Sequence, residues 1–257
     1  MPSLKDIKLR ITSVRNTQKT TRAMKMVSAA KLRKAQDAIV RLRPYANKLN
    51  ELLGRVVASL DENQSFQSPY VDDGREVRRV LVVLVSSNRG LAGSFNSAII
   101  KTAATAIEQD YAAFHRGGAL DVLAIGRRGF EGLARRGYTI RGGANRDVYA
   151  SLSYETVEAV ARELMDTYVA GEYDRVVLVY NEFKNVMTQI RRVEQLLPVQ
   201  APTAQQPAAE KGLDYIYEPG QETILTELIP QIIKVRLYRA ILESHAGEHG
   251  ARMFAMD

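Results

Sequence analysis

Two histidines four residues apart with a glutamate between them are the residues of this chain best placed, by type and spacing, to do chemistry. They are His245, Glu248 and His249, in the segment HAGEH. On a helix, positions i and i+4 share a face. Two imidazoles there could hold a divalent metal while the carboxylate activates a water, as in the H-x-x-E-H pattern of inverted zinc proteases. Catalytic zinc needs a third protein ligand, and the eight residues after His249 contain neither Glu nor His. Gly247 and Gly250 would also loosen a helix carrying such a site. The triplet therefore reads as coincidence, and the remaining histidine, His115, stands alone. A second candidate is SSNRGLAGSFN, from Ser86 to Asn96, which follows an apolar run and opens a helical pattern, where a Gly-rich turn could cradle phosphate. It matches neither G-x-x-x-x-G-K-[ST] nor G-x-G-x-x-G, and reads as a tight strand-to-helix turn with Ser94 as N-cap. The stretch from Gly126 to Gly129 is a weaker version of the same idea. With zero cysteines there is no disulfide, thiolate site or thiol switch, and no Ser-His-Asp order can be assembled. The expectation is a non-catalytic chain with no cofactor and no metal.

The elements that carry these residues are dominated by a different pattern. Apolar and small residues recur in alternating steps of three and four through Leu4, Ile7, Ile11, Val14, Gln18, Thr21, Lys25, Ser28, Leu32, Ala35, Ile39, Leu42, Ala46, Leu49, Leu53, Val56 and Leu60. This 3.5-residue period is the seam of a coiled coil, and at 1.5 Å per residue it predicts a rod of roughly 85 Å. Pro44 interrupts it without shifting the phase. Four seam positions, Gln18, Thr21, Lys25 and Ser28, are polar, and either set the helix register or mark where the rod faces something other than a partner helix. Up to residue 60 there are fourteen basic residues against three acidic ones, while the whole chain carries a net charge of +7. The rod is the basic part, and it calls for an acidic partner, either nucleic acid or a protein surface.

The rest of the chain divides cleanly. Residues 1–60 form the N-terminal coiled-coil helix and 61–75 a polar linker. Residues 76–200 show short apolar runs alternating with amphipathic stretches, the grammar of a mostly parallel α/β domain. Its expected strands are Val80 to Val85, Asp121 to Ile125, a poor one at Tyr138 to Ile140, and Arg175 to Tyr180; Gln189 to Leu197 fits strand or helix, with an edge strand the preferred reading. Residues 201–213, rich in Pro, Ala and Gln, read as a flexible loop. Residues 214–257 hold a short strand-like run and a second long helix. The fold class is therefore α/β, a long antiparallel coiled coil of N- and C-terminal helices with an inserted Rossmann-like α/β domain, which is expected to sit between them at one end. The C-terminal helix is shorter than the rod, so part of the rod's seam lacks a partner.

Several segments together resemble the gamma-subunit family of F-type rotary ATP synthases: NTQKTTRAMKMVSAAKLRKAQ (Asn16 to Gln36), RPYA (Arg43 to Ala46), the SSNRGLAGSFN turn, YIYEP (Tyr215 to Pro219) and LESHAGEHGARMFAMD (Leu242 to Asp257). The resemblance implies a non-catalytic rotor shaft that transmits torque from a proton-driven c ring to a hexamer of alpha and beta subunits. The epsilon subunit is a further implied partner, and membrane contact is made only through the c ring, at the cytoplasmic face of a bacterial plasma membrane. It places Met24, Lys25, Met26, Lys31, Arg33, Lys34 and Arg89 at the coupling contact with the hexamer, and Tyr215 and Glu218 at the foot on the c ring. The family's C-terminal helix runs on past the segment matching Met253 to Asp257. The alternative is a basic helical nucleic-acid-binding protein. It calls for a basic block beside an apolar zipper, whereas here the charges interleave with the seam throughout.

Overall fold

A computed structural model describes residues 3–58, 68–71, 74–142, 147–199, 218 and 220–257. The rod is one helix, α1, Leu4–Ala58, whose 55 residues span about 83 Å. Ser3 starts it. Its hydroxyl accepts from Asp6 N–H at 3.3 Å while its own N–H donates to the Asp6 carboxylate at 3.0 Å, a reciprocal cap that holds the Asp6 carboxyl below its ordinary pKa. The helix passes through Pro44, and a second one, α7, Gln221–Ala255, passes through Pro230.

Between them lies a four-stranded sheet of β1 (Val80–Val85), β2 (Leu120–Ile125), β3 (Arg175–Phe183) and β4 (Gln189–Leu197), in the order β2-β1-β3-β4. β1 runs parallel to β2 and β3, and β4 closes one edge antiparallel to β3, as its sequence suggested. Alternate residues sort to two faces, the period-2 rule of a pleated strand. Val80, Val82 and Leu84 of β1 pack with Ile99, Ala103 and Ile107 of α2 (Phe95–Asp110) and Leu133 of α4 (Arg127–Ala134). Leu81, Val83 and Val85 face the other way, into a core shared with α6 (Tyr154–Val169), α7 and the later part of α1. Ser153 caps α6 by accepting from Thr156 N–H at 3.3 Å. Two short helices, α3 (Ala112–Arg116) and α5 (Asp147–Ala150), complete the order.

Three expectations need correction. Tyr138 to Ile140 forms no strand; Ile140 makes a single parallel bridge to Val122, because Tyr138 turns inward to fill the core beneath α2. The expected linker is partly ordered against the domain: Val71 bridges Val199, whose N–H donates to Tyr70 O at 2.7 Å. Its residues 61–67, the loop at 201–213 and the strand-like run at Tyr215 to Tyr217 lie outside the described residues. The α/β domain also does not merely cap one end of the helix pair. It lies along α7, from Gln231, which accepts from Tyr154 Oη at 3.2 Å, to Arg252, which donates to Gly90 O at 2.7 Å. α7 is therefore sandwiched. Ile229, Ile233, Leu237 and Ile241 form a second apolar stripe beside the seam residues Leu225, Ile232, Val235 and Leu242, and all are buried.

The seam on α1 behaves as its length predicts. Leu32, Ala35, Ile39, Ala46, Leu49, Leu53 and Val56 are buried, mainly beneath α7 and the domain core. Leu4, Ile7, Ile11 and Val14 are 79%, 43%, 48% and 62% exposed. The polar quartet spans the change: Gln18 is exposed, Thr21 and Lys25 are half-buried, and Ser28 is buried.

Candidate functional site

At the carboxyl ends of β1 and β2 two strand-to-helix turns lie side by side, the position where open α/β sheets bind phosphate-bearing ligands. Four backbone donors of these turns are already used within the chain. Ser87 N–H goes to Asn96 Oδ1 at 3.1 Å, Arg127 N–H to Asn88 Oδ1 at 3.0 Å, Arg128 N–H to Ser87 O at 3.0 Å and Gly129 N–H to Ser86 Oγ at 2.8 Å. Asn96 organises the turn, donating to Ser87 Oγ at 2.9 Å. Ser94 occupies the N-cap position of α2 but its side chain makes no capping bond. Its φ of −83° and ψ of 1° are not the extended backbone from which a cap side chain reaches N–H groups, which corrects the sequence expectation. Leu91, also in this turn, has φ of 61° and stays 65% exposed, a left-handed conformation that costs a side-chain-bearing residue roughly 1–2 kcal/mol.

The turn is bolted to α7. Arg252, 6% exposed, donates to Gly90 O and forms an ion pair with Glu248 one helical turn back. Beyond it, the end of α7 meets α1: Asp257 pairs with Lys25, and Met256 lines an open groove with Leu9, Met24 and Leu91. Met24 and Lys25, two of the expected coupling residues, thus come together with Leu91 and Met256, which sequence reasoning missed. Met26 is 62% exposed outside the groove; Lys31, Arg33, Lys34 and Arg89 are exposed as well. Glu218 is exposed just before α7, and Tyr215 lies outside the described residues. The i, i+4 spacing of Glu248 and Arg252 was the available signal for the bolt.

A family model described as ATP synthase matches residues 3–257. The ATP synthase gamma chain of Cytophaga hutchinsonii is 47% identical, over all of this chain and 86% of its own length. The chain belongs to the ATP synthase gamma-chain family. The gamma chain of Chlorobium luteolum is 46% identical with the same coverage. Among solved structures, the central stalk and c ring of the Tetrahymena thermophila mitochondrial ATP synthase contains a chain 26% identical, matched over 92% of this chain and 97% of that one with a TM-score of 0.59. A rotor chain of the Euglena gracilis enzyme, 16% identical with a TM-score of 0.59, shares the fold. The gamma chain is the non-catalytic central stalk subunit of its complex, in keeping with phosphate-type turns in which the N–H groups of Ser87, Arg127, Arg128 and Gly129 are spent internally.

The HAGEH segment is built differently from its sequence reading. Gly247 and Gly250 do not loosen α7; they let it approach the domain closely. A Cβ on Gly247 would sit 3.1 Å from Gln189 Cγ, and one on Gly250 3.2 Å from Val186 O. His249 is buried with them and His245 is half-buried. Burial lowers the imidazole pKa to about 4 for His245 and about 3 for His249, with the Lys31 and Arg252 charges adding to the effect. Burial also raises the Glu248 carboxyl above its usual value, against the pull of Arg252. Both histidines therefore fold as neutral bases. Above the ordinary histidine value the folded and unfolded states bind the same number of protons. As pH falls from about 6.5 towards 4 and 3 only the unfolded chain takes them up, so stability is lost in that window. His249→Gln should flatten the decline of unfolding free energy across it, by up to roughly 1 kcal/mol per pH unit. Urea titrations at stepped pH test this, and parallel profiles for the two proteins would refute it.

Proposed function

We propose that this chain is the turning shaft of its complex, carrying torque between a c ring and a hexamer of alpha and beta subunits, with the epsilon subunit as a further partner. The observation that carries the reading is the form of α1: one helix of about 83 Å whose seam from Leu32 to Val56 is clamped to α7 and the domain while most of its basic side chains stay exposed. An off-axis, basic helix tip presents a different surface at each angle. Its attraction to an acidic partner is long-ranged at low salt and screened at physiological salt.

The residue assignments follow from this. Met24, with Leu91 and Met256, offers flexible apolar contact that can repack with rotation. Lys25, Met26, Lys31, Arg33, Lys34 and Arg89 lie around it as the remaining coupling surface. Glu218 stands just before α7, whose far end is about 50 Å away, and with Tyr215, assigned from the sequence alone, is the candidate foot on the c ring. Membrane contact is made through the ring alone: no described helix is long and apolar enough to cross a bilayer. Relatives in Cytophaga and Chlorobium, both bacterial, support the cytoplasmic face of a bacterial plasma membrane as its place.

Reconstitution with alpha and beta subunits tests the reading. One copy of this chain per hexamer with raised ATPase activity is the expected result, and failure to assemble would overturn it. Within an assembled complex, Met24→Lys puts a second cation beside Lys25 in the groove. Proton pumping per ATP hydrolysed should fall several-fold while hydrolysis persists; an unchanged ratio of pumping to hydrolysis would remove Met24 from the contact.

A further inference from the structure

The surface around Met24 leaves the most unusual polar group of the molecule unexplained. His245, Glu248 and His249 lie on one side of α7 with their ligand atoms all within 4.8 Å of one another. His249 and Glu248 are each 6% exposed. Neither ring nitrogen of His249 has a hydrogen-bond partner, and His245 Nδ1 has none. A buried imidazole ordinarily donates from one nitrogen and accepts at the other, so three idle nitrogens on adjacent rings are a vacancy in the polar bookkeeping of the core. The two oxygens of Glu248 are divided: Oε1 takes the Arg252 guanidinium, while Oε2 faces His245 Nδ1 at 3.9 Å, too far for a hydrogen bond. The two imidazole centroids are 4.5 Å apart with the rings near perpendicular, at 80°. Two nitrogens and a carboxylate oxygen are therefore gathered around one volume with no proton shared among them.

We propose that His245, His249 and Glu248 Oε2 form a binding site for a transition-metal dication of the zinc class. Two nitrogens and one oxygen suit zinc, cobalt, nickel and copper rather than magnesium or calcium, which take oxygen ligands. Neutral imidazole is the ligating form, and both rings are neutral at pH 7. Arg252, on the other carboxylate oxygen, fixes the orientation of Glu248 from outside the ligand set. The way in is past His245, whose side chain is 20% exposed and whose ring stacks on Tyr149 at 5.6 Å between centroids. A solvent ligand on that side would complete four-coordination. Lys31 and Arg252 oppose a dication and limit its affinity. The site is structural: the metal would fix both ring orientations, and through His245 the contact of α7 with α5, at the level where α7 is bolted to the turn. It lies outside the coupling assignments and does not depend on them.

Cobalt binding to the purified, chelator-stripped full chain tests this, followed by the visible d–d bands of low-symmetry cobalt, with zinc binding measured by calorimetry and thermal melting. The expected result is saturation at one equivalent, displacement of cobalt by zinc, and a melting temperature raised by zinc. The His245→Gln/His249→Gln variant should lose all three responses, and His245→Gln alone, at the part-exposed edge where folding is least at risk, should weaken cobalt binding at least tenfold. His115→Gln, remote from the cluster, should bind as the parent does. Absence of cobalt bands in the parent, or equal binding by His245→Gln and the parent, would overturn the proposal.

Discussion

Gly126→Ala should destabilise this chain by about 3–5 kcal/mol, read as a lowered denaturation midpoint at unchanged slope. Gly126 joins β2 to α4 with φ of 100° and ψ of 138°, a backbone region that side-chain-bearing residues scarcely enter. The conformation alone costs roughly 1–2 kcal/mol. The added methyl meets a second obstacle, since a Cβ there would lie 2.4 Å from Ser86 O and 2.8 Å from Ser86 Oγ. Those atoms cannot withdraw. Ser86 N–H donates to Ile125 O at 2.8 Å, and its hydroxyl accepts from Gly129 N–H, tying β1 to the start of α4. Gly137→Ala separates the two contributions, because Gly137 has φ of 81° but open space around its Cβ position. It should cost only about 1 kcal/mol. If the two variants unfold together, close approach is not what requires glycine at Gly126.

Arg252→Ala should cost a comparable 3–5 kcal/mol, because it strands the buried Glu248 carboxylate and releases Gly90 O. The expected magnitude comes mostly from the uncompensated charge, so it is testable by a cycle. Glu248→Ala combined with Arg252→Ala should cost less than the two single changes summed, by roughly 1–3 kcal/mol. An exposed pair provides the comparison. Arg192 is 46% exposed beside Glu182, itself 26% exposed, at 2.5 Å, and solvent can replace much of what Arg192→Ala removes. Its cost should stay well below that of Arg252→Ala. Strict additivity in the Glu248–Arg252 cycle would show that the ion pair contributes nothing beyond packing.

The rod was legible because a coiled-coil seam is a local pattern: from Leu32 to Val56 every step lands on a buried side chain except Leu42, which is half-buried. The strands were legible for a related reason, since Val80–Val85 is buried on both faces and so reads as an unbroken apolar run. The surroundings of α7 were not. A two-helix seam needs one stripe, and Leu225, Ile232, Val235 and Leu242 supply it. The second stripe, from Ile229 to Ile241, has meaning only once a sheet lies across it. Gly247 and Gly250 were misread on the same account: glycine is a helix defect in isolation and a close contact when Gln189 and Val186 press against it. Tyr138 to Ile140 reads as a poor strand, and in the fold the core takes the Tyr138 ring and leaves only the Ile140–Val122 bridge behind it. At the proposed coupling surface, family resemblance pointed to Met24 and Lys25 along the chain. Their neighbours Leu91 and Met256 arrive from far-apart segments, which no spacing within α1 could indicate.

The pairing of Lys25 with Asp257, 232 residues away, also has a consequence for biogenesis. On a ribosome adding roughly 5–20 residues per second, α1 emerges first and waits on the order of tens of seconds before α7 exists to cover it. The β1–β3 sheet can form in the interval, but the face that α7 will fill stays open until α7 has been made. During that wait the nascent chain displays a long apolar stripe, the kind of surface on which neighbouring nascent chains aggregate. Its fourteen cationic residues against three anionic ones are then a safeguard, since like-charged helices repel before their seams can meet.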